Sequence, residues 1–169
     1  EKMLRESEEK YRLLVEHATD GIVVAQDGVL KFSNPKAWEI FGYSSAEMEF
    51  RPFIEMIHPE DRKMVFNCHL KRLRGGEVPE CYQFRIVSRE GEVRWVEIHA
   101  VLISWTGALA SLNFISDITA RKQAEEMLIK ALNEKDLLLQ EVQHRTKNSI
   151  NIISGIVTLE ARQAGEESI

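Results

Sequence analysis

A chain of 169 residues with 44% hydrophobic and 29% charged side chains holds enough apolar material for one core of about 100 residues plus an appendage. Its formal net charge of −5, with no Lys/Arg cluster, argues against a nucleic-acid partner, and two cysteines without metal-ligand spacing (Cys68, Cys81) argue against a metal site or a disulfide framework. No apolar run reaches the roughly 18 residues of a membrane span, because Ser104, Thr106, Gly107 and Asn113 interrupt the greasiest stretch, and the sparse cysteines make a reducing cytoplasm the expected setting.

The chain opens on a charged helical run. Its first residues, Glu1-Lys2-Met3-Leu4, are echoed at Glu125-Glu126-Met127-Leu128, so residues 1–10 are expected to be a junction helix leaving a preceding module. Gly21-Ile22-Val23-Val24-Ala25 and Val29-Leu30-Lys31-Phe32 flank Gln26-Asp27-Gly28 and read as a β-hairpin. Asn34 caps a helix with Pro35 in its first position and Gly42 at its end, and Ser44-x-x-Glu47 has the capping-box pattern. His58-Pro59-Glu60-Asp61 starts a longer helix, and Lys71, Arg72 and Arg74 suit the dipole at its C-terminal end. Strands are expected over Cys81 to Val87, Val93 to Ile103 and Ala108 to Ser116, with a turn at Trp105-Thr106-Gly107.

Two strands, a cluster of short helices and a three-stranded meander make one α+β domain. Asp20-Gly21-Ile22, Phe32-Ser33-Asn34-Pro35, Phe41-Gly42-Tyr43-Ser44, His58-Pro59-Glu60-Asp61-Arg62, Gly91 to Trp95 and Asp117-Ile118-Thr119 with Arg121 occur in an order that resembles the PAS sensor family. The resemblance implies a PAS domain over residues 11–118, with a five-stranded antiparallel sheet in order 2-1-5-4-3 and helices on one face around a small cavity. Candidate lining residues are Val24, Phe41, Ile57, Phe66, Phe84, Ile98 and Phe114, which read equally well as plain core.

No cofactor is expected. Related flavin sensors place a reactive cysteine in Asn-Cys-Arg-Phe-Leu-Gln shortly after the Gly-Tyr pair, where this chain has Arg51-Pro52; Asn67-Cys68 lies much later and reads as ordinary helix. Oxygen-sensing relatives hold haem through a histidine where this chain has Val65, and His69, one turn on, reads as a helix-surface residue. A small-molecule ligand of the PAS cavity stays open, its identity unnamed.

Beyond Thr119 the residues Ala124, Leu128, Ala131, Lys135, Leu138 and Val142 follow the four-three spacing of a parallel two-helix seam, so residues 119–136 are expected to be a signalling coiled coil in a homodimer. Lys135 weakens that seam in the way a switch needs. Further on, each helical residue advances about 100°, which sets Val142 and Thr146 about 160° from His144 and Ile153 about 180° away. His144 therefore faces solvent among Gln140, Glu141, Lys147, Asn148 and Asn151.

The string Leu139-x-Glu141-Val142-x-His144-Arg145-x-Lys147-Asn148 resembles the dimerisation and phospho-acceptor helix of sensor histidine kinases of the His-Arg-x-Lys-Asn kind, which typically read Leu-x-Glu-(Val/Ile)-His-His-Arg-Val-Lys-Asn-Asn-Leu. Gln143, Thr146, Ser149 and Ile150 depart from that pattern and leave His144 as the one candidate acceptor in the motif. Residues 137–169 are thus expected to be the first helix of a truncated histidine-phosphotransfer domain. The resemblance implies phosphorylation of His144 from Mg-ATP bound by a kinase domain outside this chain, then transfer to an aspartate of a response-regulator receiver. Glu141 is expected either to accept a hydrogen bond from the His144 ring or to be a solvated surface acid. Arg145 and Lys147 are expected to attract phosphate, and Asn148 to touch the phosphorylated group or an attacking water. PAS domains with exit coiled coils also feed other outputs, so a non-enzymatic dimerisation or ligand-binding module is the alternative.

Overall fold

The computed structural model describes residues 2–166. Helix α1 (Lys2–Glu16) precedes strands β1 (Gly21–Gln26) and β2 (Val29–Ser33). These strands close on Asp27 and Gly28, both at positive φ (54° and 77°), and this gives a two-residue turn whose twist matches that of the paired strands. Asn34 then caps α2 (Pro35–Phe41) by accepting from Ala37 N at 3.0 Å, and Gly42 at φ 74° ends it in the left-handed conformation that glycine adopts without penalty. The Ser44/Glu47 capping box starts α3 (Ser45–Met48), and a 3-10 turn follows at Phe53–Met56.

The next helix begins and ends on side-chain bonds that its local sequence does not announce. α4 spans Arg62–Leu73, and Asp61 does not cap it with its side chain. Asp61 instead reaches across to β3 (Cys81–Val87): its Oδ2 accepts from the Arg85 backbone N–H at 2.8 Å and from Arg85 Nε at 3.0 Å, and its Oδ1 accepts from Arg85 Nη2 at 2.7 Å. Arg85 holds the Asp61 carboxyl below its ordinary range, chiefly through these side-chain bonds. At the C-terminal end Lys71 and Arg72 lie in the last turn as expected, and Arg72 is in addition buried and donates to the Pro79 carbonyl at 2.7 Å.

Strands β4 (Val93–Trp105) and β5 (Ala108–Asp117) complete an antiparallel sheet in order β2-β1-β5-β4-β3, as expected. β4 runs two residues beyond its expected end because the connection is only Thr106-Gly107, with Trp105 already paired to Ala108. The helices between β2 and β3 cover one face of the sheet, where Leu30, Phe41, Met48, Met56, Ile86 and Val96 form the centre of the core. Burial of each contributes about 1.5–3 kcal/mol. Successive strand residues alternate between faces, so Val23 and Ala25 of β1 and Ser111, Asn113 and Ile115 of β5 point toward the helices, while Ile22, Val24, Leu112 and Phe114 point the other way.

A final helix, α5, runs from Thr119 to Glu166. Its first turn is fixed to β4: Thr119 Oγ1 accepts from Trp95 N at 3.0 Å and Arg121 pairs with Glu97 at 3.2 Å. The chain divides into two compact units, one ending at Lys122 and the other starting at Gln123. Among the described residues no helix is long and apolar enough to cross a membrane.

Candidate functional site

Two places are candidates for function, one in each unit. In the first unit α4 turns Val65, His69 and Arg72 inward at positions i, i+4 and i+7. They border a cavity of ≈ 50 Å³ between α4 and the inner face of the sheet, with Leu30, Phe41, Phe53 and Ile98 among its apolar walls. His69 is 6% exposed and Arg72 7%. The imidazole packs edge-on against Phe53, with 4.9 Å between ring centres, and its Nδ1 lies 3.3 Å from Ser111 Oγ. The other ring nitrogen, Nε2, is buried and has no hydrogen-bond partner. Leaving such a group unpaired costs about 1–3 kcal/mol. Burial first, and then the charge of Arg72, holds the His69 pKa below that of ordinary imidazole, so the ring is neutral near pH 7.

This geometry corrects four expectations from sequence. His69 is not a helix-surface residue, whereas Phe66, expected in the lining, is 41% exposed. Val24 and Phe114 sit on the opposite face of the sheet, beside an open groove of ≈ 610 Å³ that α1 borders through Tyr11 and Val15. Phe41, Ile57, Phe84 and Ile98 do line the cavity.

In the second unit His144, Glu141, Arg145, Lys147 and Asn148 are all exposed on α5. Glu141 does not approach the His144 ring: its Oε1 accepts from Arg145 Nη2 at 2.6 Å, one turn along the helix. Asn148 takes that place, with Nδ2 3.4 Å from His144 Nδ1. Thr146 bonds back to the Val142 carbonyl at 2.8 Å and leaves the histidine face clear. Leu138, Val142, Ile150, Ile153 and Val157 form a stripe that is at least half exposed in the single chain.

Residues 30–113 match the family model described as the PAS fold. The chain carries a PAS domain. It is 31% identical over 118 residues to a blue-light-activated histidine kinase of Brucella ovis, an overlap of 69% of this chain and 22% of that protein. The chain thus spans about a fifth of the length of the curated relatives it matches. Among solved structures it is similar to a sensory box histidine kinase/response regulator from Burkholderia thailandensis, with TM-score 0.57, 25% identity and coverage of 74% of this chain and 96% of that one. It is also similar to the PAS domain of an HTR-like protein from Haloarcula marismortui, with TM-score 0.55, 25% identity and coverage of 69% and 96%.

Within the PAS domain, neither Cys68 nor Cys81 lines the cavity, and among the described residues no three His, Cys, Asp or Glu side chains converge as a metal-binding group. Sequence reasoning missed Arg72, Ser111 and Asn113 as cavity residues. The available signals were the four-three spacing of Val65, His69 and Arg72 and the alternation of Ser111 and Asn113 with apolar neighbours in β5. Discounting polar side chains as core candidates hid both.

Proposed function

We propose that this chain is the sensory and phospho-acceptor segment of a two-component sensor histidine kinase. In this reading His144 takes the γ-phosphoryl group of Mg-ATP from a kinase domain elsewhere in the parent protein and passes it to an aspartate of a response-regulator receiver. The observation that carries the proposal is His144 itself, exposed on α5 and followed by Arg145, Lys147 and Asn148, with the Asn148 amide against one ring nitrogen. The kinase names of the relatives support it.

Imidazole is apt for this transfer because its neutral form offers a nitrogen nucleophile without a separate deprotonation step. Attack through Nε2 needs the ring proton on Nδ1, which Asn148 holds there once its amide turns its oxygen toward that nitrogen, 3.4 Å away. Arg145 and Lys147 are cations in the adjoining turn that attract the transferred phosphate, with Arg145 released from Glu141 as phosphate arrives. In-line placement and charge stabilisation come from the ATP site. ATP and receiver domains are cytoplasmic reactants, so the reading puts this segment in the cytoplasm.

The exposed apolar stripe of α5 supports a parallel homodimer, in which a change in the PAS domain shifts helix packing and thus the presentation of His144. A dimerisation or ligand-binding module serving another output is the competing reading, and it predicts no phosphoryl transfer. Incubating the chain with its cognate ATP-binding domain and Mg-ATP tests the difference. The proposal requires an acid-labile, base-stable phosphoramidate on this chain that moves to a receiver aspartate. An unlabelled chain beside an active ATP-binding domain contradicts it.

A further inference from the structure

The hydrogen-bond network around His69 decides which ring nitrogen holds the proton. Asn113 Nδ2 donates to the Val23 carbonyl at 3.3 Å and the Ser111 carbonyl at 3.0 Å, both of which only accept, so this end of the amide is the nitrogen. It also donates to Ser111 Oγ at 3.2 Å. The Ser111 hydroxyl proton then has His69 Nδ1 as its acceptor at 3.3 Å, which leaves the ring proton on Nε2. His69 therefore presents an N–H donor, without a partner, in the cavity wall.

Arg72 borders the same cavity one turn further along α4. Its guanidinium remains a cation in a protein interior, yet it bonds only neutral groups, the Pro79 carbonyl and the Tyr82 hydroxyl, and no Asp or Glu lines the cavity. A buried cation without a carboxylate and a buried N–H without an acceptor ask for the same complement: a small group with negative charge and acceptor oxygens. The remaining walls are mainly aliphatic and aromatic, which suits a short hydrocarbon tail.

We propose that this cavity binds a small aliphatic monocarboxylate, with its carboxylate between His69 Nε2–H and Arg72 and its tail against Phe53 and Ile98. The inference deepens the sensory half of the proposed function. Its test reads binding alone, so its failure leaves the His144 assignment standing, and the reverse also holds.

The test is a titration of the full 169-residue chain with sodium propionate and, separately, with 1-propanol at matched ionic strength, read by the His69 side-chain nitrogen shifts in NMR. Propionate is expected to give a saturable shift of Nε2, and 1-propanol none at the same concentrations. Arg72→Gln, shown to be folded by its circular dichroism, is expected to bind propionate about 10- to 100-fold more weakly, the loss typical of a charged hydrogen bond. Ser111→Ala, which frees the His69 tautomer, is expected to weaken binding less. Equal binding of propionate and 1-propanol overturns the proposal, as does an unchanged affinity in Arg72→Gln. The absence of any saturable shift up to about 50 mM propionate overturns it too, since even a ligand of few atoms gains more than that from a matched site. Should Arg72→Gln fail to fold, the propionate and 1-propanol comparison on the unmodified chain decides alone.

Discussion

Asn34 and His69 are polar side chains buried to similar depth in the same PAS domain, and they differ in how completely they are bonded. Asn34 Oδ1 accepts from Ile22 N at 2.7 Å and Ala37 N at 3.0 Å, while its Nδ2 donates to the carbonyls of Val15 at 3.0 Å and Asp20 at 3.1 Å. One amide thereby joins the end of α1, the start of β1 and the first turn of α2. His69 has Ser111 on one side of its ring and nothing on the other. A buried polar group that is saturated from within the fold acts as a joint. One left half-bonded beside a cavity is a place for something else to bind.

The largest expected effect breaks the joint. Asn34→Ala removes four hydrogen bonds and leaves buried backbone groups unpaired, so it should cost about 3 kcal/mol in urea unfolding. A cost below about 1 kcal/mol would mean the knot is not what fixes these elements.

Asp61→Ala is next, at about 2 kcal/mol near neutral pH, because it strips the half-buried Arg85 of its closest carboxylate. The folded-state pKa of Asp61 lies below its unfolded value, so this stabilisation is fully present above about pH 4 and is lost as pH falls through the folded value. The difference between the two proteins should shrink on acidification through that window. A gap that holds constant to strongly acid pH would assign the effect to something other than the carboxylate.

His69→Leu sharpens the comparison from the other side. Without added carboxylate it should change stability by no more than about 1 kcal/mol, with the balance toward stabilisation, because an unpartnered N–H leaves the core. A loss as large as that of Asn34→Ala would show that His69 is a structural joint. The smallest expected effect is spectroscopic: a cavity of ≈ 50 Å³ without a lining cysteine should give a purified chain with no visible absorption, and a flavin or Soret band would contradict this.

Asn34 shows how much of the fold was legible in the sequence. Asn-Pro ahead of an apolar helix and Gly42 behind it are local signals with local causes, as are Asp27-Gly28 and the Ser44/Glu47 box, and the structure carries all of them. The family resemblance supplied the strand order that local signals cannot. What the sequence hid depends on long-range pairing. Asp61 caps helices by residue type, but Arg85, far along the chain on β3, takes its carboxylate. Phe114 and Val24 are more hydrophobic than Asn113 and Ser111, and alternation along β5 separates the two sets of residues without saying which face the helices cover. His144 stands out as a candidate in the sequence because a run of neighbours on one helix marks it, whereas the partners of His69 come from separate elements.

The proposed role of His144 as phospho-acceptor is tested by mapping the label among the five histidines. His17, His58, His69, His99 and His144 are each replaced by Gln in the full chain, and each variant is incubated with the cognate ATP-binding domain and Mg-ATP. The account predicts that His144→Gln abolishes the phosphoramidate while keeping helix content and melting temperature, since its side chain is exposed, and that the other four variants, where folded, are labelled as the parent is. Undiminished label on His144→Gln, or its loss in a folded variant at another histidine, contradicts the account.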